Sequence, residues 1–71
     1  MPKKISFSRH VRNARIDRGL SVSDVAQRVG VSPACIYLWE RGTTRPRDEN
    51  LAALCKALKL PLRPTREMAA G

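Results

Sequence analysis

Val22-Ser23-Asp24-Val25-Ala26-Gln27-Arg28-Val29-Gly30-Val31-Ser32-Pro33-Ala34-Cys35-Ile36-Tyr37-Leu38-Trp39-Glu40-Arg41 is the stretch on which the reading of this chain turns. It divides at Gly30 into two short apolar-periodic segments, and each carries helix punctuation. Ser21 stands three residues before Asp24, an approximate capping box in which the hydroxyl accepts an unpaired first-turn amide. Ser32 precedes Pro33, and proline at the first helical position gives up an amide that had no partner to lose. Gly30 supplies the backbone turn between the segments, and Gly42 closes the second. Ala26, four residues before Gly30, is small enough to let two helices cross closely at a steep angle. Val25, Val29, Val31, Ile36 and Trp39 are the apolar positions that face inward and fix that angle. With Ile36 inward, the 100° helical step turns Trp39 and Glu40 inward and leaves Ala34, Tyr37, Leu38 and Arg41 outward.

On the N-terminal side the same signals predict a helix from about Ser6 to Arg18, stopped by Gly19 and striped by Phe7, Val11 and Ala14. The central pair becomes Val22 to Val29 and Pro33 to Arg41. A fourth helix runs from about Asp48 to Leu58, with Leu51, Leu54, Cys55 and Leu58 at helical spacing. Asp48 and Glu49 sit where a helix N-terminus favours negative charge. Beyond Leu60, Pro61 and Pro64 break any continuation, and Thr65 to Ala70 reads either as one short turn of helix or as a frayed tail. No alternating run is long enough for a strand, and there is no repeat or low-complexity tract. The expectation is an all-α chain of four to five short helices.

Seventy-one residues make one domain, with its core in about residues 6–60. A chain this short buries only roughly 60% of its unfolded surface, so its core is small and its margin thin. Fourteen Lys and Arg against six Asp and Glu leave a formal charge of +8, spread from Lys3 to Arg66. That balance fits a polyanionic partner, nucleic acid first, with a merely solvated basic face as the plain alternative. Cys35 and Cys55, 20 residues apart inside helical patterns, read as small buried or half-buried hydrophobes and not as a disulfide. The start, Met1 to Ser6, has charge but no apolar h-region, and no run approaches membrane-spanning length, so a soluble cytoplasmic chain is expected. His10 is the single histidine, which leaves no His/Cys cluster for a metal. No nucleophile–base pair, paired acids or cofactor loop is visible; the expectation is no enzyme, no cofactor and no small-molecule ligand.

The Val22–Arg41 segment resembles the helix-turn-helix of the lambdoid phage repressors and Cro proteins, the XRE-type family of prokaryotic regulators. Leu20-Ser21, Ala26, Gly30-Val31-Ser32, Ile36, Trp39-Glu40-Arg41-Gly42, Pro46, Ala57-Leu58 and Arg15 all stand at family positions, covering about Phe7 to Leu60. The resemblance implies a lambda-repressor-like fold in which helix 33–41 lies in the DNA major groove while the preceding helix crosses the backbone. It also implies a partner for Glu40. An inward carboxylate left unpaired is expensive, so a cation is needed, and the family pattern assigns Arg15. Arg15, Glu40, Ala26, Gly30 and Trp39 are therefore structural positions.

On that reading, Pro33, Ala34, Tyr37 and Leu38 face base edges. Family members commonly place glutamines or other polar side chains at several of these positions; here Pro33, Ala34 and Leu38 donate no side-chain hydrogen bond. They suit thymine methyl groups, while Tyr37 reaches a base or a phosphate, so shape and water carry more of the readout. Ordinary surface or a protein contact is the other reading of Tyr37 and Leu38. For phosphates, the start of the second helix offers Ser21 and the Val22 amide, and Gln27 lies outward on the same helix. The loop after the third helix offers Arg41, Thr43, Thr44, Arg45 and Arg47, which is otherwise a solvated basic loop. The function expected is a sequence-specific transcription regulator, a repressor by preference, working as a homodimer through the Leu58–Ala70 region. The competing expectation is a protein-interaction module of the antitoxin type, kept open by Ala34, Leu38 and Ile16.

Overall fold

The computed structural model describes residues 6–70; the reading of Met1 to Ile5, including the charge of Lys3, lies outside them, as does Gly71. Five helices follow in order: α1 (Phe7–Asp17), α2 (Val22–Val29), α3 (Pro33–Arg41), α4 (Asp48–Leu58) and α5 (Leu62–Ala70). Each boundary has a local cause. Ser6 caps α1, its hydroxyl accepting from the Arg9 amide, so α1 begins and ends one residue inside the expected limits. Gly19, at φ +66°, closes α1, and the Leu20 amide donates back to the Arg15 carbonyl at 3.1 Å. At α2 the capping box is complete: Asp24 N–H donates to Ser21 Oγ at 3.0 Å, and Ser21 N–H to Asp24 Oδ2 at 2.9 Å. Gly30, at φ +90°, ends α2, and the Ala26 carbonyl accepts from both Gly30 and Val31. Ser32 precedes α3 but makes no side-chain cap; its hydroxyl instead lies 3.5 Å from the Cys35 sulfur.

The core joins one stripe from each of the first four helices. Phe7, Val11 and Ala14 of α1 meet Val22, Val25 and Ala26 of α2, Ile36 and Trp39 of α3, and Leu51, Leu54, Cys55 and Leu58 of α4. Leu20, Val29, Val31 and Cys35 pack half-buried against it. Burial of a side chain the size of Ile36 contributes about 1.5–3 kcal/mol, so Ile36 and Trp39 hold α3 by its inner face. The two cysteines are free, Cys55 buried and Cys35 half-buried.

Two features depart from the expected pattern. α4 ends at Leu58 as expected, but its cap is Lys59, which takes the left-handed conformation (φ 54°) that glycine takes after α1, α2 and α3. Residues 62–70 form a full helix and not a single turn or a tail. Pro64 does not break it: as the third residue it occupies the first turn, where a missing N–H removes no bond. α5 packs through Thr65, which is fully buried, and through half-buried Met68 and Ala69. Among the described residues no helix is long and apolar enough to cross a membrane.

Candidate nucleic-acid interface

Glu40 and Arg15 form the joint that orients α3. Arg15 Nε donates to Glu40 Oε2 at 2.7 Å and Nη2 to Oε1 at 3.1 Å, a bidentate pair across 25 residues. The third guanidinium arm donates to the Leu20 carbonyl at 3.0 Å, tying the pair to the turn that starts α2. The side chains are 16% and 7% exposed, so the pair is largely dry. The hydrogen bond from Arg15 to Glu40 raises the guanidinium's pKa and outweighs its desolvation. Glu40 thus serves α3 from within.

The opposite side of α3 is open. Pro33, Ala34, Tyr37, Leu38 and Arg41 are all exposed, Tyr37 to 56% and Leu38 to 36%. Tyr37 and Arg41 are the hydrogen-bonding side chains among those five. This is an apolar surface with one hydroxyl and one guanidinium, presented on a helix anchored by Ile36 and Trp39 from behind.

At the N-terminus of α2 the expected phosphate seat is narrower than the residue types imply. The Ser21 amide and the Ser21 Oγ lone pair are both used by Asp24, whose carboxylate also brings negative charge to the spot. The first-turn amides of Val22 and Ser23 are what remain for a ligand. The Ser21 amide and hydroxyl hold the Asp24 carboxyl below the usual carboxylate range. Gln27 is exposed.

The loop after α3 brings Arg41, Thr43, Thr44, Arg45 and Arg47 to the surface, all exposed. Its backbone is pinned at Gly42 (φ +79°), and the Thr43 amide returns to the Leu38 carbonyl at 3.1 Å. A Cβ on Gly42 would stand 3.5 Å from Ser8 Oγ, so the first turn of α1 lies beside the loop. Arg45 is not free: Nη1 donates to the Ala69 carbonyl of α5 at 2.6 Å. No signal in the sequence links two residues 24 positions apart with a backbone atom as one partner.

A second concentration of charge went unread in the sequence. Arg18, Arg28 and Lys59 line a shallow hollow of about 250 Å³ with Leu20 and Ala57. Each belongs to the C-terminal end of α1, α2 or α4, where a cation complements the helix dipole, and Arg18 Nη1 donates to the Ala14 carbonyl. Their placement has a structural cause.

A family model described as helix-turn-helix matches residues 11–64. This chain belongs to the helix-turn-helix family. Its α2–α3 pair is the helix-turn-helix itself, and the five-helix arrangement is the lambda-repressor and Cro type. The transcriptional regulator ClgR of Mycobacterium tuberculosis (strain H37Rv) is 38% identical over 52 residues, 73% of this chain and 46% of that protein. The cryptic phage CTXphi transcriptional repressor RstR of Vibrio cholerae is 32% identical over 56 residues, 79% of this chain and 50% of that one. The chain thus spans about half the length of the curated relatives it matches. Among solved structures, the DNA-binding domain of the P22 c2 repressor aligns with a TM-score of 0.84 at 31% identity, covering 92% of this chain and 86% of that domain.

Proposed function

We propose that this chain is the DNA-binding module of a transcriptional regulator. It lays α3 in the major groove of duplex DNA, with Pro33, Ala34, Tyr37 and Leu38 against base edges. Ser21, Val22, Gln27, Arg41, Thr43, Thr44, Arg45 and Arg47 hold the flanking phosphates. The observation that carries this reading is the division of α3 into an inner side locked by Ile36, Trp39 and the Arg15–Glu40 pair and an outer side left open beside exposed arginines. The helix-turn-helix family and the likeness to a domain named for DNA binding support it. Repression is the favoured sign, since RstR and c2 are named repressors. The module acts in the cytoplasm, where bacterial DNA is.

Selection of bound sequences from a random duplex pool, at two salt concentrations, tests the proposal. A defined motif is expected, with a salt slope of about 0.9 for each phosphate held by a cation, hence near 3 per protomer from Arg41, Arg45 and Arg47. Arg41→Ala should weaken all duplexes alike and flatten the slope by about one. Ala34→Gln should change which sequence is preferred and leave the slope in place. A pool without enrichment would sink the reading.

One module makes few contacts, so we place two copies on half-sites about one helical turn apart, as a homodimer. Within the Leu58–Ala70 region Leu58, Leu60 and Met68 cover the chain's own core, which leaves Leu62, 39% exposed, as the large apolar side chain there for a sister copy. Sedimentation with Leu62→Glu checks this. The second reading, a partner-binding module of the antitoxin type, draws on exposed Leu38 and Ile16. It calls for weak DNA binding with a shallow salt slope.

A further inference from the structure

Arg45, assigned above to the DNA backbone, is already engaged in the free protein. The Ala69 carbonyl that accepts from it belongs to the last turn of α5, where carbonyls lack intrahelical partners and the helix dipole is negative. The contact is a charge-assisted cap made through one nitrogen. A guanidinium has five N–H donors, so one spent on Ala69 leaves four. α5 itself is lightly seated. It buries Thr65 fully but gives Thr65 Oγ1 no neighbour better than the weakly bonding Cys55 sulfur, and Met68 and Ala69 are only half-buried. The Arg45 cap adds to the packing of Met68 and Ala69 in holding its far end.

We infer that α5 is a positioning element of the DNA interface: the Ala69 carbonyl holds the Arg45 guanidinium in place in the α3–α4 loop, with its remaining N–H groups available to a phosphate. A long side chain loses rotamer freedom when a ligand pins it. Here the loss is taken on folding, before DNA arrives, so the guanidinium is preorganised. By linkage the effect runs both ways: α5 docking strengthens the hold on DNA, and DNA strengthens α5 docking by the same factor. The inference rests on the loop being a phosphate clamp, and the tests below separate the two.

The protein carries its own probe. Cys55, on α4, is buried beneath α5, with the Thr65 hydroxyl at its sulfur. Burial pushes the thiol pKa up, so it reacts when α5 lifts. In a Cys35→Ala protein, labelling of Cys55 by an aromatic disulfide reagent is followed with and without saturating nonspecific duplex at low salt. DNA should slow labelling about fivefold, at the low end of usual coupling. Arg45→Ala should speed labelling of the free protein and abolish the slowing by DNA at equal occupancy. Faster labelling with DNA would mean that phosphate pulls Arg45 away from α5, and equal slowing in both proteins would mean no coupling; either overturns the inference. Met68→Pro, which unwinds α5 at constant net charge, gives an independent cycle: Arg45→Ala should weaken duplex binding less in that background than in the parent. Additive losses overturn the positioning role alone. If Arg45→Ala leaves duplex affinity and salt slope unchanged in the parent, the clamp reading of this arginine falls, and the inference with it.

Discussion

The Arg15→Met substitution keeps the aliphatic stem of the side chain and removes the guanidinium that holds Glu40. What remains is a carboxylate whose side chain is 7% exposed, with both of its charge-assisted bonds gone. Breaking a buried pair in this way costs about 3–5 kcal/mol, because the surviving charge has neither water nor partner. The Leu20 carbonyl also loses its donor from Arg15. A chain of 71 residues has a total stability of about 4–11 kcal/mol, at roughly 0.05–0.15 kcal/mol per residue. At the low end of that range the variant is partly unfolded at room temperature, and across it the melting midpoint should fall by at least about 12 °C. Urea titration followed by circular dichroism measures this directly. Glu40→Gln should be milder, about 1–2 kcal/mol, since the amide still accepts a bond and the guanidinium keeps Leu20 and some water. The double variant Arg15→Met/Glu40→Leu should recover most of the loss, as apolar replacements of a buried pair commonly do. A single-variant loss below about 1 kcal/mol, or a double variant no better than Arg15→Met, would refute the claim that the pair is dry and mutually dependent.

Three further outcomes are expected. Lys59→Gly should stabilise the fold by about 1 kcal/mol, raising the midpoint by about 5 °C, because Lys59 holds φ 54° with a Cβ that this conformation disfavours. Thr65→Val should also stabilise, by about 1 kcal/mol, by removing a buried hydroxyl that has only the weak Cys55 sulfur beside it; calorimetry checks both. The Asp24 carboxyl has a folded pKa held below its ordinary 3.8 by Ser21. Its contribution is thus complete above that ordinary value and is lost as pH falls through the lower folded one. Acid titration of stability should accordingly be less steep below about pH 4 in Asp24→Asn than in the parent.

Much of this structure was legible because its helix ends are written in residue types with few alternatives. Ser21 with Asp24, Pro33 after Ser32, and glycines at 30 and 42 locate α2 and α3 to the residue. The inward turn of Glu40 followed from the helical step alone, and the cost of burying a carboxylate then demanded a cation. α5 was less legible because proline has two meanings, breaker inside a helix and neutral occupant of its first turn; Pro64 takes the second. The end of α4 at Leu58 was legible, but its left-handed cap was not, because Lys59 is a residue type that carries no hint of that backbone. In the site, residue types located the exposed face of α3 and the loop arginines but not their present commitments. Ser21 looked like an open donor until the Asp24 carboxylate met it, and the hold of Ala69 on Arg45 involves a backbone atom that every residue possesses.

Because α3 is gripped from one side by Ile36 and Trp39 and bare on the other, what it recognises and whether it folds are separable properties. Substitutions at solvent-facing positions away from caps and pairs usually change stability by less than about 0.5 kcal/mol. Pro33 aside, since it begins the helix, positions 34, 37 and 38 are therefore close to neutral ground: lineages can drift across them, and an engineer can randomise them, without first rebuilding the scaffold underneath.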